Sequence, residues 1–456
     1  MQLNKLLTLL ATILLTNLES TGQSFNVMRF DEDYSYLIDS SRTFYNRIKY
    51  CPLSGDKRVY LSVGGEMRFE YAAFDNEDWG LHDIGHDNFF LQRYDLHADL
   101  HISKRLRFFG QLRSALENGR KVGPRPIDED KLNIQNLFVD FTALQDSGHT
   151  LILRAGRQEL DYGSGRLISV REGPNLRLYF TGFKVKYNAQ NFWADAFVMM
   201  ADNVRPGIFD NTGTGEANLW GIYSQRTFKI NNLDLYYIGI RRDSSAFEEG
   251  IEKEIRHTLG GRLWRSGNGF IYNIETAYQF GTFGRGNISA WTGSIDAGYS
   301  FAKAKLSPVI GIRNDYISGD KKAGDGSLQT FNPIYPRGGY FGFDPQIGPE
   351  NLIDIHPYII LNIKQNLFCQ ADAVFNWRYS LQDGIYTPGG TIKLEDVGNT
   401  QRYIGTSWLV SLGYNINKFI TFDIGTQYFK TGSFIDAAIP DHKDGLFTNI
   451  RLGFKF

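Results

Sequence analysis

Arginines interleaved with acids are the residues of this 456-residue chain whose type and spacing point to chemistry, namely the reversible capture of anions. A guanidinium presents a planar fork of donors that grips a carboxylate at two points. Acids close by compete for those donors and keep the grip weak enough for release. Arg93, Arg105, Arg107, Arg113, Arg154, Lys184, Lys186, Arg262, Arg313, Arg378, Arg451 and Lys455 fall on one parity of segments that alternate in polarity. Asp95, Asp99, Glu117, Asp195, Glu275, Asp296, Asp315, Asp372 and Asp423 share that parity. Cross-strand pairing of these charges into a rigid network is the plainer use of the same residues. Nucleophilic chemistry finds less support. The chain has 8 His, mostly in its first third, and no Ser–His–acid pattern stands out. His97 and His101 have the spacing of a helix face, yet on a strand they stand about 13 Å apart and make no metal pair.

The elements that hold these charges are strands. From Arg58 to Phe456 the chain runs in segments with period-2 patterning, rich in Tyr, Phe, Val, Ile and Thr. Tyr94, Leu96, Ala98, Leu100 and Ile102 oppose Arg93, Asp95, His97, Asp99 and His101; Ile420, Phe422, Ile424 and Tyr428 oppose Thr421, Asp423 and Gln427. Side chains on a strand alternate between its two sides, so each segment has one apolar and one charged face. A soluble antiparallel sandwich also alternates. These strands are longer than the globular mode of about 5–6 residues and suit a tilted crossing of a bilayer. Short turns also take turns with long segments. Turns fall at Ser103-Lys104, Gln145 to Gly148, Ala189-Gln190, Lys229 to Asn231, Gly267-Asn268, Ala302-Lys303, Gln365-Asn366 and Asn417. Long connectors cover 72–87, 119–131, 161–177, 203–216, 243–253, 282–286, 318–351, 381–400 and 431–445. Eight turns and nine loops join 18 strands, an even number with both ends on the turn side. The fold class expected is therefore an all-β transmembrane up-and-down barrel over residues 58–456. An N-terminal periplasmic segment, 23–57, precedes it, either as a short helix or lying in the pore mouth.

Lys5 followed by the apolar run Leu6 to Leu18 and the small residues Ser20-Thr21-Gly22 reads as a signal peptide, 1–22. No later run is long and apolar enough for a helical span. Two cysteines, Cys51 and Cys369, cannot supply a disulfide framework. A net charge of −1 gives no basic arm for nucleic acid, and no cofactor or metal set is expected. The mean hydropathy of −0.32 looks soluble because it averages an apolar outer face with a charged interior. The loop 318–351 carries Phe331, Tyr335, Tyr340, Phe341 and Phe343 among four prolines and seven glycines, as an ordered lid or constriction would; a plain surface loop is the other reading.

The stretch Leu153-Arg154-Ala155-Gly156-Arg157-Gln158-Glu159-Leu160-Asp161-Tyr162-Gly163-Ser164-Gly165-Arg166-Leu167, with Pro174 to Arg177 and Phe180-Thr181-Gly182, resembles the signature of the alginate-export family of outer-membrane porins. The resemblance implies an 18-stranded barrel that conducts a polyuronate through an electropositive constriction. It implies Arg154, Arg157, Glu159, Arg166 and Arg177 as pore-lining residues, to which lumen parity adds Arg93, Arg113, Lys184 and Asp195. The expectation is an outer-membrane channel of a Gram-negative cell for alginate, other acidic oligosaccharides or small acids. A general diffusion porin is the alternative, and an outer-membrane barrel enzyme the one after it. Expected partners are outer-membrane lipid, the anionic solute, and the barrel-assembly machinery, which would read the terminal aromatic Phe456.

Overall fold

The structure, a computed structural model, describes residues 25–40 and 43–456. The expected signal peptide, 1–22, lies outside the described residues. Twenty strands share one sheet; setting aside two two-residue pieces, Cys51–Pro52 and Ser327–Leu328, leaves 20 − 2 = 18. They are β1 Tyr60–Asp75, β2 His86–His101, β3 Leu106–Asn118, β4 Asp130–Gln145, β5 His149–Gln158 and β6 Phe180–Ala189. Next come β7 Phe192–Asn203, β8 Thr212–Phe228, β9 Asn231–Phe247, β10 Gly250–Arg265, β11 Gly269–Phe283 and β12 Gly286–Ser300. The last are β13 Val309–Ile317, β14 Leu352–Lys364, β15 Leu367–Arg378, β16 Tyr403–Asn417, β17 Ile420–Thr431 and β18 Gly445–Lys455. Neighbours in sequence pair antiparallel, and β1 pairs β18 from Glu66↔Lys455 to Asp75↔Leu446, which closes the barrel. Closure satisfies both edges of the sheet, the condition for strands to sit in lipid.

Alternation decides which side chains enter. On β2, Arg93 is 0% exposed and Asp95 7%, whereas Leu96 between them and His97 is 53% exposed. The outward set includes Phe183, Val198, Ile222, Leu235, Leu259, Ile295 and Trp408, an apolar belt suited to acyl chains. The inward set is charged and paired. No helix among the described residues is long and apolar enough to cross a membrane.

Two long connectors turn out short. Glu248-Glu249 joins β9 to β10 and Gly284-Arg285 joins β11 to β12, because β8 to β11 run on past the expected ends to 15–17 residues each. The turn expected at Ala302-Lys303 instead spans 301–308. Arg105, expected to face the lumen, lies in the turn before β3 and is exposed. Cys51 and Cys369 are free thiols.

Three connectors fill the lumen. Residues 318–351 leave β13 and cross the interior. Thr330 O accepts from Arg256 Nη1 (3.0 Å) on β10, and Asn332 O from Gln279 Nε2 (2.6 Å) on β11. Ile334 O accepts from Arg242 Nη2 (2.9 Å) on β9. At the far wall Phe343 N donates to Gln427 Oε1 on β17 (2.8 Å), and Asp344 faces Arg125 (3.5 Å). Phe331, Ile334, Phe341 and Ile347 pack into one apolar cluster with Tyr162, Ile168, Tyr236 and Phe429, so the aromatic content of this loop makes an internal core and not a surface patch. Residues 159–179 also fold inward and meet the first loop where Tyr335 N donates to Leu167 O (2.9 Å). Residues 379–402 add a hairpin of Ile385–Tyr386 and Ile392–Leu394. The N-terminal residues 25–40 and 43–57 enter from the turn end, with a short helix Phe44–Lys49 whose first turn is capped by Thr43 Oγ1 accepting from Asn46 N (3.1 Å).

Candidate functional site

The inward arginines gather where residues 159–179 press against β1 to β6. Asn175, fully buried, fixes that loop: its Nδ2 donates to Gln92 O (3.0 Å), Leu116 O (3.2 Å) and Asp128 O (3.0 Å), and its own N to Asp128 Oδ1 (2.8 Å). Gly163 permits the sharp turn that follows Tyr162, with φ +61°; a Cβ there would stand 2.3 Å from Tyr223 Oη. The loop thereby delivers Glu159, Glu172 and Arg177 to a wall that already holds Glu66, Arg68, Arg93, Asp95 and Arg113.

In this first cluster Arg93 Nη2 donates to Glu66 Oε1 (2.8 Å) and to Glu172 Oε1. Arg113 binds Asp95 with both Nε (2.6 Å) and Nη2 (2.8 Å). Arg177 lies between Glu159 (3.0 Å) and Glu172 (3.2 Å), and Gln135 Nε2 donates to Glu159 Oε1 (2.8 Å). Arg68 donates to the carbonyls of Glu172 and Pro174, 2.7 Å each. Four guanidiniums thus face four carboxylates. Burial disfavours ionisation of Glu172, yet Arg93, Arg177 and Arg68 hold its carboxyl well below the usual range. For Glu159 burial outweighs Arg177 and Arg113 and pushes the carboxyl up.

A second cluster lies nearer the turn end. Arg154 forks onto Asp140 through Nε (2.6 Å) and Nη2 (2.8 Å), Arg107 onto Asp99 (2.7 and 2.9 Å), and Lys184 faces Asp195 (3.4 Å). Tyr162 Oη donates to Asp195 Oδ2 (2.9 Å). These pairs account for part of the donors only. Arg93 Nη1, Arg113 Nη1 and Arg154 Nη1 are buried without a protein acceptor in hydrogen-bond geometry. Each guanidinium carries five N–H groups, and a fork onto one carboxylate uses two.

Of the residues picked from sequence, Arg93, Arg113, Glu159 and Arg177 meet in the first cluster, and Arg154, Lys184 and Asp195 in the second. Arg166 stands apart, against Asp315 on β13 and 4.0 Å from Glu275 on β11. Arg157 does not line the lumen. It pairs across from Leu137, which is 55% exposed, and reaches Ile134 O (2.9 Å) and Asp202 instead. Arg154 and Arg157 are three apart on one strand, so when one faces in, the other faces out. Glu66, Arg68 and Glu172 belong to the site and were passed over. Glu66 and Arg68 alternate with Met67 and Phe69, so the parity that found Arg93 also marks them. Glu172 sits in an irregular loop where no parity applies.

The alginate export family model matches residues 59–449, the strands together with the inserted loops. The chain belongs to the alginate export family. Solved barrels share its fold at low identity. OccAB1 of Acinetobacter baumannii is 13% identical, with a TM-score of 0.59 over 90% of this chain and 99% of that one. OccD3 (OpdP) of Pseudomonas aeruginosa is 12% identical, with a TM-score of 0.58 over 90% and 93%. A BenF-like porin from Pseudomonas fluorescens Pf-5 is 9% identical, with a TM-score of 0.58 over 87% and 98%. Among curated proteins no sequence matches the chain. Family and fold together make this an outer-membrane-type channel protein, a closed 18-strand porin barrel.

Proposed function

We propose that this alginate export family member passes anionic solutes, acidic oligosaccharides among them, across the outer membrane along the basic wall of β1 to β6. The observation that carries the reading is the gathering of inward arginines on these strands and on the loop packed against them, Arg68, Arg93, Arg107, Arg113, Arg154 and Arg177, whose donors are only partly taken up by protein acceptors. Such donors give a carboxylate short-lived partners, and the fixed acids Glu66, Asp95, Asp140 and Glu172 limit how long it stays. The turn end then faces the periplasm and the long-loop end the exterior, and the aromatic Phe456 on the closing strand is what barrel assembly would read.

Planar bilayers holding the purified protein across a salt gradient test this. The reversal potential is expected on the anion side, and uronate oligomers are expected to block current at lower concentration than neutral oligosaccharides of equal length. Arg93→Glu is expected to move the reversal potential toward cations. Cation preference in the unaltered protein would sink the proposal. A channel without polyuronate preference is the second reading, favoured by the one-to-one matching of arginines and acids in the first cluster; equal block by uronate and neutral oligomers would select it.

A further inference from the structure

We propose that residues 25–40 and 43–50 are a built-in plug that shuts the turn-end mouth by occupying the basic wall, and that an anionic solute displaces it. This rests on the reading of that wall as the anion lane. The segment takes the places that a chain of carboxylates and hydroxyls would take. Arg107 Nη2 donates to Phe30 O (2.7 Å), Arg177 Nη1 to Val27 O (2.9 Å), and Lys186 Nζ lies 3.7 Å from Asp31 Oδ1. The Phe30 ring, 2% exposed, stands edge-on to Phe109 (5.8 Å) and Phe138 (5.3 Å), with the Arg154 guanidinium 4.7 Å from its centroid. Four basic side chains of the wall are thus engaged by two carbonyl oxygens, one carboxylate and one ring face of the chain itself.

The seat of the plug is the seam where the barrel closes. Arg29 donates through Nη1 to Gly65 O and through Nη2 to Phe456 O, 2.9 Å each, while Nε holds Glu32 (2.7 Å). Lys49 Nζ donates to the same Phe456 oxygen (3.0 Å). Gly64 leaves the room: a Cβ on it would stand 2.3 Å from Lys49 Nζ. Polar tips and main-chain oxygens make the contacts to the arginines and the seam, while Phe30 packs on Phe109 and Phe138, Tyr50 stacks on Tyr60 (4.3 Å), and Phe25 and Tyr45 meet Phe419. Water and a solute's own acceptors can replace the polar contacts, which a continuous strand seam would not allow. Withdrawal leaves β1 to β18 paired as they are, because the first described residues of the N-terminal segment to pair with a strand are Cys51–Pro52 on β1, which follow the plug.

Single-channel recording on the full chain and on a variant lacking residues 25–38 decides the matter. Heat-modifiable electrophoretic migration confirms that the variant barrel is closed. Removal is expected to raise mean conductance at least threefold; equal conductance would overturn the proposal. A full-length chain with Cys51→Ser, Cys369→Ser and Asp31→Cys supplies the second arm. Maleimide labelling at position 31 is expected to quicken in guluronate oligomers and not in neutral oligomers at equal ionic strength. Unchanged labelling would overturn displacement by solute. The reversal potential of the shortened variant judges the anion lane separately: loss of anion preference there removes the proposed function while the conductance rise still stands for the plug.

Discussion

The charges that line this barrel act in pairs, and the pairs set what a single substitution does. Glu172 is shared by Arg93, Arg177 and the Arg68 backbone contacts, so Glu172→Gln removes one charge from a balanced set. The variant is expected to raise anion over cation permeability by roughly two- to fivefold, equivalent to about 0.4–1 kcal/mol of barrier. Reversal potentials of the two proteins in the same salt gradient measure it. Arg157→Ala separates face from charge. Because Arg157 points outward to Asp202, ion preference should stay put while stability falls by about 1–3 kcal/mol from the unpaired carboxylate. A shift in reversal potential without loss of stability would return Arg157 to the lumen.

Loops are the elements that narrow the passage, and buried polar groups hold them. Arg256 is fully buried, binds Glu254 through Nε (2.5 Å) and ties Gln279 (2.7 Å) and Thr330 O (3.0 Å) to β10. Arg256→Met takes from Glu254 one of its two guanidinium partners, leaving Arg242 with the neutral donors Ser245 Oγ and Asn332 Nδ2, and frees Thr330 O. Breaking a buried pair costs about 3–5 kcal/mol, so loop 318–351 should become cleavable by added protease, with larger conductance in bilayers. A second tie is pH-dependent. Asp383 accepts from Thr330 Oγ1 (2.6 Å), Asp320 N (2.8 Å) and Tyr386 Oη (2.7 Å), and burial pushes its carboxyl up to about 7. A carboxyl with a folded pKa above its unfolded value favours the folded form most at low pH, and that contribution fades as pH rises from about 4 through about 7. Protease resistance of the 318–351 and 379–402 loops should therefore be greater at pH 5 than at pH 8. Asp383→Asn should flatten the difference; an equal pH response in the variant would assign it to another group.

At the scale of the whole molecule the barrel is an inside-out protein, with the apolar band outside and a charged network within. Outward Leu96 illustrates the asymmetry. Leu96→Arg is expected to cost about 2–4 kcal/mol if it sits at mid-bilayer and less toward a rim. Refolding into bilayers of known thickness, titrated with urea, measures that cost. On a surface that faces water the same substitution would cost little, so a null result in the bilayer titration would mean that Leu96 does not face acyl chains.

Strand number and strand faces were legible without coordinates, because a period of two is a local property and survives whatever the loops do. Arg93, Asp95, Arg113, Arg154 and Asp195 followed from it, and Arg157 was misplaced where a motif was allowed to override parity. Glu172 and Phe30 were not legible, since they lie in irregular backbone whose side-chain direction has no period. Tertiary structure alone decided which carboxylate meets which guanidinium, that loop 318–351 crosses the lumen, and that Val27, Phe30 and Asp31 sit on the basic wall. These are contacts between segments distant in the chain: Val27 with Arg177, Asp344 with Arg125, Arg29 with Phe456. Closure of the barrel brings them together, and alternation along a strand carries no record of them.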